Sequence, residues 1–138
     1  MPRAVLDPNV LVSALISPAG PSARLLVELR AGAFELVTSP QLLAELDEVL
    51  RRKTLRRYAT EAEVEAYVEL LRRESVVVDD PEPAIAPLGE DPDDEYLIAL
   101  ARAARVEALV SGDLHLIRLR GEIPALTPRE FLESLQNL

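Results

Sequence analysis

The chain is 138 residues long, enough for one domain with a single core, and its 49% hydrophobic and 28% charged residues are globular composition rather than disorder. It has no cysteine, which excludes disulfide scaffolds, cysteine nucleophiles, iron–sulfur clusters and zinc–thiolate sites, and no apolar run approaches the roughly 20 residues of a membrane span. The formal net charge of −9 makes a poor non-specific nucleic-acid binder, though a local basic strip could still bind; the single lysine (Lys53) disfavours Schiff-base and P-loop lysine chemistry, and a Ser-His-Asp triad would have to run through the single histidine, His115.

In chain order, Ala4-Val5-Leu6 predicts a first strand, and Asp7-Pro8-Asn9 after it reads as a turn. Residues 10–16 are almost wholly apolar and read equally as helix or strand. Ser17-Pro18-Ala19-Gly20-Pro21 breaks the chain. Residues 22–31 carry Leu25, Leu26 and Leu29 at helical spacing, and Gly32 ends that helix. Phe34-Glu35-Leu36-Val37 predicts a second strand. Ser39 as N-cap and Pro40 as first helical residue open a helix striped by Leu42, Leu43, Leu46, Val49 and Leu50.

Residues 51–57 follow, with five positive charges in seven residues; the rest of the chain then carries −14. Thr60 and Glu63 form a capping box for a helix with Val64, Tyr67, Val68 and Leu71 on its apolar face. Residues 75–78 predict a β-branched strand, and residues 79–90, with Pro81, Pro83 and Pro87, a loop. Asp91-Pro92 opens a helix with Leu97, Ile98, Leu100, Ala101 and Ala104 as its apolar set. Glu107-Ala108-Leu109-Val110 predicts a strand broken by Ser111-Gly112-Asp113. Residues 114–119 form a short helix or turn and residues 123–126 a last strand. A capping box at Thr127-Pro128-Arg129-Glu130 opens the final helix, with Phe131, Leu132 and Leu135 on its apolar face.

Strands alternate with helices throughout, which predicts an α/β fold with a mainly parallel sheet, helices on both faces, and one domain over residues 1–138. Ligands on such sheets bind beyond the carboxyl ends of the strands. Asp7 and Asp113 both fall there, although aspartates at such positions also serve as ordinary turn or N-cap residues. Asp94 shares a helix face with Leu97, Ile98 and Ala101, so it points inward. A half-buried carboxylate is costly without a cation or several donors, but a capping role near a helix start also accounts for it. Glu45 and Asp47 flank the stripe of their helix on opposite sides, and periodicity does not choose between them. Carboxylates within ~4–6 Å of one another repel unless a cation neutralises them, and an all-oxygen site selects a hard ion such as Mg²⁺ or Mn²⁺.

Five blocks in register resemble PIN-domain ribonucleases: residues 5–14, with Asp7-Pro8-Asn9; Ser39 to Leu46, with Glu45; residues 91–101, with Asp94; residues 108–116, with Ser111-Gly112-Asp113; and Thr127 to Leu132. The resemblance is closest to VapC-type toxins of toxin–antitoxin pairs. It implies a three-layer α/β/α sandwich and a Mg²⁺- or Mn²⁺-dependent endoribonuclease with Asp7, Glu45, Asp94 and Asp113 as catalytic metal ligands. It also implies support from Asn9 and Ser111, a homodimer, a cognate antitoxin and an RNA substrate. One departure is Pro8, where the family usually has Thr; it carries neither hydroxyl nor N–H. A second is the adjacent pair Asp94-Glu95, which offers two acids for one site, Asp94 being preferred for its inward face.

Arg51, Arg52, Arg56 and Arg57 follow the Glu45 helix and are the candidate RNA-backbone contacts, the plainer alternatives being a solvated face or an antitoxin-binding surface. His115 reads as a surface residue. No secretory signal is visible, and a cytoplasmic protein without membrane association is expected. The rival readings are a non-catalytic PIN-like module and a receiver-type Mg²⁺-binding signalling domain. A dehalogenase-type phosphatase is disfavoured because Asn9 stands where its second aspartate belongs.

Overall fold

The structure is a computed structural model that describes residues 1–82 and 92–137. The predicted Asp91 N-cap and the 83–90 part of the predicted loop lie outside the described residues. The strands are β1 (Arg3–Leu6), β2 (Glu35–Thr38), β3 (Ser75–Val77), β4 (Ala108–Val110) and β5 (Ala125–Leu126). The helices are α1 (Pro8–Ile16), α2 (Pro21–Arg30), α3 (Pro40–Leu50), α4 (Glu61–Glu74), α5 (Pro92–Ala103), α6 (Leu114–Ile117) and α7 (Pro128–Gln136), with a 3₁₀ turn at Lys53–Leu55.

The strands form one sheet in the order β3-β2-β1-β4-β5, and every neighbouring pair is parallel. The predicted α/β class and three-layer α/β/α arrangement are therefore the observed ones. A receiver-type domain has its strands in the order 2-1-3-4-5. The observed order removes that rival. From β1 the chain walks outward through β2 to β3, then returns to the other side of β1 for β4 and β5. The reversal falls between β1 and β4. Crossovers between parallel strands are right-handed, so the reversal places α1–α4 on one face of the sheet and α5 on the other. The packing agrees: α1 contacts α2 and α3, α3 contacts α4, and α2 contacts α7, whereas α5 contacts β1 and β4.

Central parallel strands are covered on both faces and read as unbroken apolar runs. Ala4, Val5 and Leu6 of β1 and Ala108, Leu109 and Val110 of β4 are all buried. Each fully buried Leu or Val contributes about 1.5–3 kcal/mol of hydrophobic stabilisation. β3 sits at the sheet edge, and its Val76 and Val77 are exposed. Specific ties join the outer elements. Phe34 meets Phe131 edge-on at 5.1 Å between ring centroids, and the buried Tyr67 hydroxyl of α4 donates to the Leu11 carbonyl of α1 at 2.6 Å.

The apolar 10–16 stretch is helix. Five of the nine α1 residues are buried, because the helix is enclosed on most sides, and that erases the periodicity a surface helix shows. The turn expected at Asp7-Pro8-Asn9 is instead the start of α1. Asp7 is its N-cap and Pro8 its first residue, where a missing N–H costs nothing. The boxes at Thr60/Glu63 and Thr127/Glu130 both form, each with reciprocal side-chain and backbone bonds. Gly32, at φ 82°, turns the chain out of α2 in the left-handed region. No single helix among the described residues is long and apolar enough to cross a membrane.

Candidate active site

The reversal point of an open parallel sheet leaves a crevice at the carboxyl ends of the two strands that flank it. Here those strands are β1 and β4. Asp7 directly follows β1, and its N–H extends the ladder by donating to the Val110 carbonyl at 2.9 Å. Its Oδ1 accepts from the Asn9 N–H at 3.0 Å. Asp7 is thus a strand end and a helix cap at once, so the structural and chemical readings of this aspartate do not compete. Its Oδ2 accepts from the Ser111 hydroxyl at 2.8 Å. The Ser111 oxygen in turn accepts from the Asp113 N–H at 2.9 Å. One buried hydroxyl therefore braces both strand-end acids.

Asp7 is only 5% exposed, and burial pushes its carboxyl above the ordinary carboxylate range. The Asn9 N–H and the Ser111 hydroxyl pull it back down, while the nearby charge of Asp113 adds to the rise. Asp113 caps α6, its Oδ1 accepting from the His115 N–H at 2.8 Å. His115 itself is exposed.

The other two acids come from helices. Asp94 lies in the first turn of α5, and the inward face predicted for it is observed: it is 8% exposed. Its Oδ2 is buried and accepts no hydrogen bond from a described residue. Glu45 lies in α3, half-buried, and the Tyr96 hydroxyl of α5 donates to its Oε2. Burial, followed by the hydrogen bond and charge of Glu45, holds that hydroxyl far above its ordinary pKa, so it remains a donor.

Asp7, Glu45, Asp94 and Asp113 all line one cavity of about 240 Å³. Asn9, Arg52, Val49 and Leu97 complete much of its wall. Asp47, the alternative to Glu45, lies on the opposite flank of α3, in a separate groove with Glu65 and Arg72, and is bound by Arg51 at 3.0 Å. Glu95 does not line the acidic cavity. Of the four candidate arginines only Arg52 reaches that wall. Arg51 pairs with Asp47 and Glu65, Arg56 pairs with Glu61, and Arg57 lies over the Tyr58 ring at 5.0 Å.

Among the described residues no three acidic groups stand close enough together to hold a metal ion as their side chains are placed. Asp7, Glu45 and Asp113 are each engaged by protein donors instead. Tyr96 was missed from the sequence. It lies two residues from Asp94 along α5, off the inward face, and its partner is 51 residues away.

A parallel α/β domain with an acid-lined cavity at its strand-order reversal is the class that fold and site define. A sequence profile of the PIN domain matches residues 3–115. The chain belongs to the PIN domain family, which places it in a nuclease superfamily. In fold it is similar to the crystal structure of VapBC2 from Rickettsia felis bound to a DNA fragment from their promoter. The TM-score is 0.62, with 16% identity, over 91% of this chain and 98% of that one. A search of curated proteins by sequence gives no match.

Proposed function

We propose that the chain is a Mg²⁺- or Mn²⁺-dependent endoribonuclease, the toxin of a toxin–antitoxin pair. The observation that carries this reading is that four carboxylates, from two strand ends and two helices, line one cavity. The donor set suits a hard cation, being all oxygen with no cysteine or histidine in the wall. Asp7, Glu45, Asp94 and Asp113 would hold it. A bound divalent ion supplies charge stabilisation and an activated water for in-line attack at phosphorus.

The chain's own groups do the rest. Ser111 fixes the Asp7 carboxylate, and the Asn9 N–H holds its second oxygen, so this acid keeps one orientation. Arg52, at the wall, brings a positive charge to an otherwise anionic cavity and can hold a backbone phosphate against it. Water attacks phosphorus, the bond to the 3′-oxygen breaks, and that oxygen takes up a proton. The products carry a 5′-phosphate and a 3′-hydroxyl. The same reading gives the chain a cognate antitoxin, a second copy of itself as partner, and a cytoplasmic site of action.

The test is cleavage of a structured RNA with Mg²⁺ or Mn²⁺, with EDTA, and by Asp94→Asn. The expected result is cleavage only by the unaltered protein with metal present. Cleavage that survives both chelation and substitution refutes the reading. No cleavage under any condition favours a non-catalytic PIN-like module, for which Pro8 in place of the usual Thr is the sequence ground.

A further inference from the structure

Two of the four cavity carboxylates receive a side-chain hydroxyl, and both hydroxyls are uncharged. Ser111 donates to Asp7 and Tyr96 donates to Glu45. The two pairs differ in how they are built. Ser111 lies within a turn of Asp113 and is braced by its backbone. Tyr96 comes from α5 and crosses to α3, so its bond joins the helix that carries Asp94 to the helix that carries Glu45.

The charge of the donor decides what such a bond can do. An Arg or Lys at this position would orient Glu45 equally well. It would also cancel the negative charge that draws a divalent ion into the cavity. A phenol fixes the carboxylate and leaves its charge intact. The Tyr96 ring is packed against the core, so its hydroxyl has a single reach. With Oε2 of Glu45 fixed, the direction of the whole carboxylate is set. Glu45 needs this more than its companions do. It sits mid-helix on a flexible side chain with three rotatable bonds, whereas Asp7 and Asp113 are short and locked by capping.

We infer that Tyr96 is a positioning residue: its hydroxyl, bonded to Glu45 across α3 and α5, presents that carboxylate to the divalent ion and ties it to the Asp94 helix. The inference rests on the metal-dependent reading above. Partners of this kind change metal affinity by about 10–100-fold when removed.

The experiment titrates Mn²⁺ calorimetrically into wild type, Tyr96→Phe, Glu45→Gln and the double variant, without RNA. Tyr96→Phe keeps the ring and its packing and deletes only the hydroxyl. The expected result is about a 10–100-fold weaker Mn²⁺ affinity, no further loss when the substitution is added to Glu45→Gln, and recovery of kcat at saturating Mn²⁺ with KM for RNA unchanged. Wild-type affinity in Tyr96→Phe, or a loss that adds in full to that of Glu45→Gln, overturns the role of Tyr96 and leaves the metal-dependent reading standing. No Mn²⁺ binding by the wild-type protein overturns both.

Discussion

The Ser111 hydroxyl lies 2.8 Å from Oδ2 of Asp7, although 104 residues separate them in the chain. This contact exists because β1 and β4 are hydrogen-bonded neighbours whose carboxyl ends face the same way. The Ser111 oxygen also accepts the Asp113 N–H, so its hydroxyl donates and accepts at once.

Ser111→Ala therefore leaves a buried carboxylate oxygen and a backbone N–H without their partner. A lost bond to a charged, buried group costs roughly 1.5–3 kcal/mol. The urea midpoint should fall accordingly, and Ser111→Thr, which keeps the hydroxyl, should recover most of it. An unchanged midpoint for Ser111→Ala would remove the bracing role.

Asp7 predicts a pH dependence of the opposite sign to that of a salt-bridged aspartate. Its folded pKa is raised above the ordinary 3.8, mainly by burial. Between those two values the folded state holds the proton more tightly, so stability falls as pH climbs through that window. At neutral pH the ionised carboxylate opposes folding. In EDTA, the urea midpoint of Asp7→Asn near neutrality should equal or exceed that of wild type. The gap should close below about pH 3, where both states hold the proton. A variant whose relative stability worsens as pH rises contradicts the sign.

Arg52 and Arg56 should separate in binding assays on a cleavage-inactive background. Arg52 lines the acidic cavity, while Arg56 is spent on Glu61. Each phosphate contact removed from a single-stranded RNA complex flattens the slope of log affinity against log salt by about 0.7. Arg52→Ala should show that flattening and Arg56→Ala little of it. Equal effects would spread the contact over the whole basic stretch.

Directly after β5, Thr127→Ala should cost about 0.5–2 kcal/mol by unmaking the capping box of α7. Glu130 contributes through the same box. Its pKa is lowered by the Thr127 N–H and by Arg120, so its contribution is present above the ordinary carboxylate value and fades as pH falls through the lowered one. Thermal unfolding at neutral pH and near pH 3 measures both.

The fold was legible where local chemistry speaks for itself. Ser39-Pro40, Thr60/Glu63 and Thr127/Glu130 each open the helix they predict, because caps involve residues three apart. Asp7-Pro8-Asn9 misled because a turn and a helix start use the same residue types. The inward face of Asp94 followed from helical spacing alone. The choice of Glu45 over Asp47 did not, since both flank one stripe and only the packing of α3 against its neighbours decides which flank meets the cavity. Tyr96 was hidden for a related reason: its ring bridges two helices, and no short window of sequence contains both ends. The arginines were visible as a charge block, but which of them is spent on Asp47 and Glu61 depends on tertiary neighbours.

The pairing of β1 with β4 has a temporal consequence. Parallel strands far apart in sequence join late, after the entropy of closing the long intervening loop has been met. Asp7 precedes Ser111 by 104 residues, so Ser111 and Asp113 cannot stand beside it until that stretch is synthesised and β4 has docked against β1. A half-folded copy therefore has Asp7 in place but not the assembled four-acid cavity.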